Sequence, residues 1–212
     1  MSYLEIKNYS KTIKGNDVLK NINLELELGH VYSFYGRNGC GKSMLFKAIC
    51  GFIYPTDGEI LIDGKKLLRD MDVPESIGAL IENPGFVLNL TGYENLKLLA
   101  DINHKITDET INVFLDLMHL NNHKVYKQYS LGMKQRLAIA QALMENPKLI
   151  ILDEPMNALD QEHVEIVKEL ILQKRNAGAL ILLASHNKDD LKDLSDFIYE
   201  MENGEIKGLI QL

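Results

Sequence analysis

The 212-residue chain has no tryptophan and only two cysteines, Cys40 and Cys50. Two thiols are too few for a disulfide framework, which points to a reducing, cytoplasmic setting. Long apolar runs are missing as well. A membrane-spanning helix needs about 20 mostly apolar residues. The longest runs here are Leu149-Ile150-Ile151-Leu152 and Ala179-Leu180-Ile181-Leu182-Leu183-Ala184, which have strand length. The stretch Met1–Lys7 lacks a basic region followed by an apolar one, so no secretion signal is expected. Excess positive charge is also absent. Lys and Arg number 23 against 30 Asp and Glu, a formal net charge of −7. That balance argues against nucleic acid as the main partner, because binding its phosphates needs a concentrated positive surface. What is present is ordinary for one globular domain: 46% hydrophobic and 25% charged residues. A chain of this length buries about 70% of its unfolded surface and needs no disulfide or structural metal.

The pattern along the chain predicts an α/β fold. Leu4 and Ile6, then Ile22, Leu24, Leu26 and Leu28, alternate with polar neighbours. Alternation means one wet face, so these strands are expected in an N-terminal antiparallel sheet. His30–Tyr35 reads as a strand that ends in glycine, followed by a helix through Met44, Leu45, Ala48 and Ile49. Asp57–Gly64 reads as a strand between turns. From about Pro84 to Pro147 the apolar residues recur at helical spacing. The two dry runs that follow suit a parallel central sheet covered on both faces. Between them Asp160 is placed to cap a helix that Gly178 ends. The expected division is a core of about 1–82 and 148–212 with a helical insertion of about 83–147, all within one domain. Little sequence follows Gly204-Glu205-Ile206, so no appended regulatory domain is expected.

Gly36-Arg37-Asn38-Gly39-Cys40-Gly41-Lys42-Ser43 fits G-x-x-x-x-G-K-[ST], the P-loop. Glycines let backbone N–H groups converge on phosphate oxygens, and the following helix offers its positive end to the same anion. Lys42 then reaches the β- and γ-phosphates, and the Ser43 hydroxyl ligates Mg²⁺. Cys40 reads as a small spacer within the loop. The run Leu149–Leu152 ends in Asp153-Glu154. A dry strand ending so delivers charge to the sheet edge where open α/β sheets bind ligands. Asp153 is the candidate Mg²⁺ holder and Glu154 the candidate general base for an attacking water.

Mononucleotide kinases and small GTPases share those two motifs. The discriminating segment is Tyr129-Ser130-Leu131-Gly132-Met133-Lys134-Gln135-Arg136-Leu137. It resembles the signature of ABC ATPases, usually Leu-Ser-Gly-Gly-Gln followed by Lys/Arg-Gln-Arg. Read from the residues alone, it is a capped helix start whose N-terminus can meet a phosphate. The resemblance extends along essentially the whole chain. Asn157-Ala158-Leu159-Asp160 looks like the D-loop, and His186 after the last dry strand matches the switch histidine. It implies a P-loop NTPase core, ATP and Mg²⁺ as ligands, and ATP hydrolysis with Glu154, His186 and Glu82 as catalytic candidates. It also implies a dimer in which Ser130, Gly132 and Asp160 of one subunit meet the nucleotide on the other's P-loop.

Three departures sharpen the resemblance. Ile13 stands near where the family carries an adenine-stacking aromatic, with Tyr9 and Tyr3 as substitutes. Glu82 stands where the family has the Q-loop glutamine, in Gly78-Ala79-Leu80-Ile81-Glu82-Asn83-Pro84. An ionised glutamate only accepts hydrogen bonds, yet it can ligate Mg²⁺ or orient water. Leu131 and Met133 replace glycine and glutamine in the signature. Glu82 together with Ser130-Leu131-Gly132-Met133 resembles the bacitracin-resistance and lantibiotic-immunity exporters. The implied partners are a second ATP-binding subunit, as homodimer or heterodimer, and separate membrane permease subunits that hold the chain at the inner face of the cell membrane. Two rivals stay open on sequence: a soluble ABC ATPase of the iron–sulfur assembly type, and a P-loop kinase. His119 and His123 are four residues apart, but Asn121-Asn122 between them reads as a helix end and not as part of a metal site.

Overall fold

A computed structural model describes residues 2–82, 85–120 and 123–210. Asn83, Pro84, Asn121 and Asn122, on which parts of the sequence reading fall, lie outside the described residues. Two sheets carry the fold. The first joins β2 (Asn16–Leu26), β1 (Leu4–Ile13), β4 (Asp57–Ile62) and β5 (Lys65–Lys66) in that order. Its pairings are antiparallel, with Leu4 facing Leu26 on one side and Ile62 on the other. The alternation of the sequence becomes one buried face, with Leu4, Ile6, Ile22, Leu24 and Leu26 all buried.

The second sheet runs β10 (Glu205–Ile210), β9 (Phe197–Glu202), β3 (Val31–Tyr35), β8 (Leu180–Ser185), β7 (Leu149–Asp153) and β6 (Ile77–Leu80). Strands β9, β3, β8, β7 and β6 are parallel, and β10 adds an antiparallel edge. The β9–β10 hairpin was not anticipated. Asn203 and Gly204 turn it, both with positive φ (50° and 81°), which this residue pair adopts readily in tight hairpins.

Strand geometry sends alternate side chains to opposite faces. In β7, Ile150 and Leu152 join one core, while Leu149 and Ile151 join the other. The first core packs under α2 (Gly92–Asn103), α3 (Asp108–Leu117), α4 (Leu131–Leu143) and α5 (Gln161–Asn176). The second lies between α1 (Lys42–Ile49) and the antiparallel sheet. A one-turn helix, α6, spans Asp189–Lys192. Helices α2 to α4 all fall between β6 and β7 in the chain.

Helix α4 presses directly on β6. A Cβ added to Gly78 would lie 1.8 Å from the Ala142 carbonyl oxygen. Neither backbone can yield without moving a helix off the sheet. Gly78→Ala is therefore expected to destabilise the fold by about 1–3 kcal/mol, seen as a lower denaturation midpoint at unchanged slope.

Candidate functional site

The segments that follow the C-terminal ends of β3, β7 and β6 converge on one cleft of about 940 Å³. Between β3 and α1, residues Gly36–Gly41 form the phosphate loop. Gly36 has no room for a side chain, since a Cβ there would lie 2.4 Å from the Met201 carbonyl oxygen and 2.7 Å from Cys40 Sγ. Cys40 is buried and occupies that space, so it acts as the spacer the sequence suggested. Gly41 has φ +114°, a conformation that side chains resist, and it launches α1 from the loop.

Lys42 is the first residue of α1 and is 5% exposed. Its Nζ donates to the Gly36 carbonyl at 2.6 Å and to that of Arg37 at 3.4 Å. The loop thus holds its own cation over the cradle. Ser43 Oγ donates to Asp153 Oδ2 at the end of β7. Burial pushes the Asp153 carboxyl above its ordinary range, and the negative charges of Glu154 and Glu82 push the same way against the Ser43 bond and Lys42.

Glu154 follows β7 with φ 51°, a left-handed conformation that costs a side-chain-bearing residue about 1–2 kcal/mol. The backbone is fixed there from two directions. The Glu154 N–H donates to the Ala184 carbonyl at 3.0 Å. Gln135 Nε2, from α4, donates to the carbonyls of Glu154 and Pro155 at 3.2 and 3.0 Å. Glu154 Oε2 lies 2.9 Å from His186 Nδ1. Its other oxygen, Oε1, is buried with no hydrogen-bond partner, and Lys42 Nζ is 3.9 Å away. An orphaned carboxylate oxygen beside the phosphate cradle is a ready acceptor for a water proton.

Glu82 lies just past β6, also with positive φ, 57°. It lines the cleft, but its Oε1 is held at 2.6 Å by Lys47, one turn beyond Ser43 on α1. That lysine offsets the extra negative charge that a glutamate brings here. Oxygens of Ser43 and Asp153, with Glu82 nearby, match the one or two carboxylates plus substrate phosphates that Mg²⁺ prefers over a full protein cage. Glu82→Gln is expected to leave MgATP binding intact while changing hydrolysis rate or its coupling to transport. Identical rate, Mg²⁺ dependence and transport would remove Glu82 from the mechanism.

Not every sequence candidate enters this cleft. Asn38, Gly39, Gly41, Lys42, Ser43, Glu82, Asp153 and Glu154 line it. Gly36, Arg37 and Cys40 shape the loop from outside. Ser130, Gly132 and Asp160 line a second concavity with Arg136, Ala158, Leu159 and His163. Ser130 caps α4 by accepting from the Met133 N–H, as its place before the helix implied. Tyr3 and Tyr9 are buried in the core, and Tyr9 is only 1% exposed, so neither can stack on a base. Ile13 pairs with Asn16 at the end of β1, and Val18 is the apolar residue from β2 that lines the cleft. Sequence reading passed over Gln135 as a brace for Glu154, although it stood in the matched signature. It also missed His163, whose only signal is its place three residues after a helix cap.

Comparison with known proteins agrees with this geometry. The ABC transporter family model matches residues 19–157. The uncharacterized ABC transporter ATP-binding protein YybJ of Bacillus subtilis (strain 168) is 40% identical over 206 residues, covering 96% of this chain and 94% of that protein. The bacitracin transport ATP-binding protein BcrA of Enterococcus faecalis is 35% identical, covering 96% of this chain and 67% of that protein. A dimeric post-hydrolysis structure of the ATP-binding cassette MJ0796, bound to ADP and Pi, superposes with a TM-score of 0.88 at 26% identity. It covers 99% of this chain and 98% of that one. With the glycine loop, the acidic strand end and the helix capped by Ser130 in place, the chain belongs to the ABC transporter family as an ATP-binding and ATP-hydrolysing subunit that uses Mg²⁺.

Proposed function

We propose that this subunit powers export of a peptide antibiotic or a similar amphipathic compound through separate permease subunits, as one of two ATP-binding subunits that share each nucleotide. The observation that carries the split site is the placement of Ser130 and Gly132. Neither lines the cleft of the chain's own phosphate loop; both line a second concavity that borders that cleft at Ala158. The helix N-terminus they open has backbone N–H groups suited to a γ-phosphate, and a second copy supplies one. Similarity to a bacitracin transport protein supports the substrate class.

In this reading ATP binds the cradle through Lys42 and the N–H groups of Gly39, Gly41 and neighbours. Mg²⁺ held by Ser43 and Asp153, with Glu82 beside them, would neutralise phosphate charge and orient the γ-phosphate. Glu154 takes the proton of the attacking water, and His186 holds Glu154 in place and meets the γ-phosphate. Asp160 and Ser130 of the partner close the other side. ATP then makes contacts that exist only in the closed pair, so binding favours closure and hydrolysis reopens it.

Among the described residues, no helix is long and apolar enough to cross a membrane. Exposed apolar side chains are nevertheless present. Phe52, Tyr54 and Val73 lie more than half exposed, and the backbones of Gly51 and Asp72 meet between them. Leu98 and Ile102 stand exposed on α2. These surfaces support docking to a permease at the inner membrane face, beside the helical subdomain of about 83–147. Deleting the gene should lower the peptide-antibiotic concentration that stops growth, with rescue by the parent chain and none by Lys42→Ala. Unchanged tolerance to every peptide antibiotic tried would remove the substrate reading.

A further inference from the structure

Behind the second concavity a buried imidazole joins two elements that lie far apart in sequence. His163, in the first turn of α5, is 5% exposed. Its Nε2 lies 2.6 Å from Arg136 Nη1 on α4. Its Nδ1 lies 2.6 Å from Asp160 Oδ1, and its backbone N–H donates to the same oxygen at 3.0 Å. A guanidinium has donors only, so Nε2 must accept. The ring proton then sits on Nδ1 and is donated to Asp160. The His163 backbone and ring bonds, in that order, hold the Asp160 carboxyl below its ordinary range. His119 packs edge-on against the ring, with centroids 5.0 Å apart.

Arg136 carries the link onward. Its Nη1 also donates to the Met118 carbonyl at 2.7 Å, and its Nε to the Gly132 carbonyl at 3.3 Å. Gly132 meanwhile lies so close to the next loop that a Cβ would be 2.7 Å from the Ala158 carbonyl oxygen. Gly132, Arg136, His163 and Asp160 therefore form one connected wall. On it stand the residues that face the partner's nucleotide.

We propose that His163 is a positioning residue that locks the signature helix to the D-loop, so that Ser130, Gly132 and Asp160 meet a second subunit's ATP as one rigid face. The proposal rests on the split-site reading above. Two flexible surfaces would each lose entropy on docking, whereas one preorganised surface loses less, so the imidazole favours closure without touching nucleotide. Its removal should weaken the ATP-bound pair while leaving the phosphate loop untouched.

The test is carried out in a Glu154→Gln background, with dimerisation followed by light scattering at saturating MgATP. Adding His163→Ala should raise the dimer dissociation constant about tenfold or more, the effect of losing one charge-assisted hydrogen bond. Nucleotide affinity of the monomer, measured by fluorescent ATP titration, should stay within about twofold because the P-loop contacts are unchanged. His163→Gln offers an acceptor to Arg136 and a donor to Asp160, and should restore dimerisation to within about threefold. Undiminished dimerisation of His163→Ala overturns the proposal and leaves the split site standing. Equal losses of monomer ATP binding and dimerisation also overturn it, since the role is then structural, as does failure of His163→Gln to recover. A Glu154→Gln chain that forms no ATP-driven dimer at all overturns the split-site reading, and the proposal with it.

Discussion

Glu154→Gln should bind MgATP, turn it over at least about a hundredfold more slowly, and accumulate as an ATP-bound dimer. The substitution keeps the shape of the side chain and an oxygen that can face water. It removes the negative charge and with it the capacity to take a proton. That capacity is assigned to a carboxylate whose one oxygen is fixed by His186 and whose other is buried without a hydrogen-bond partner, near Lys42. The backbone beneath it is anchored to Ala184 and braced by Gln135, so glutamine should sit in the same place. With the chemical step blocked, the ligand proposed to hold two ATP-binding subunits together is not consumed, and the closed pair should persist. Phosphate release and light scattering on one sample read both effects. Near-normal turnover in a pure preparation would falsify the assignment of the base.

The second large effect belongs to Lys42. Lys42→Ala removes the buried ammonium that arches back onto the Gly36 and Arg37 carbonyls. The loop then keeps its N–H groups and loses its point charge toward the β- and γ-phosphates. MgATP affinity should fall at least about tenfold and hydrolysis should drop to background. Melting temperature should fall as well, because the ammonium also closes the loop through Gly36 and Arg37 and is the cation nearest the buried Glu154 oxygen. Nucleotide titration alongside a thermal melt separates these outcomes. A variant that binds MgATP as tightly as the parent would place the phosphates somewhere other than this loop.

Much of this was legible in the residue pattern, for identifiable reasons. Alternation in β1 and β2, continuous apolar runs in β7 and β8, and a glycine-rich turn before α1 each follow from local geometry. So the two sheets and the placing of Lys42, Ser43, Asp153 and Glu154 could be read directly. Asp160 and Ser130 declared themselves as caps, and both accept the backbone bond a cap should. The β9–β10 hairpin was missed because Phe197–Ile210 alternates weakly, although Asn203-Gly204 marked its turn. Long-range pairings were invisible. Nothing local says that Lys47 should hold Glu82, that Gln135 should brace Glu154, or that Arg136 should reach His163. Each depends on where α1 and α4 come to lie on the sheet. Which residue stands in for the adenine-stacking aromatic was left open for the same reason, and core packing claims the rings of both Tyr3 and Tyr9.

The split of each site between two copies is tested most directly by mixing two defective chains. Lys42→Ala breaks the phosphate loop, and Ser130→Arg fills the signature helix start. Each alone should be nearly inactive. Random pairing in an equimolar mixture makes half the dimers mixed, each with one intact site of two, so about a quarter of parental activity should return. A mixture as inactive as its components would contradict the shared site and return the chemistry to a single chain.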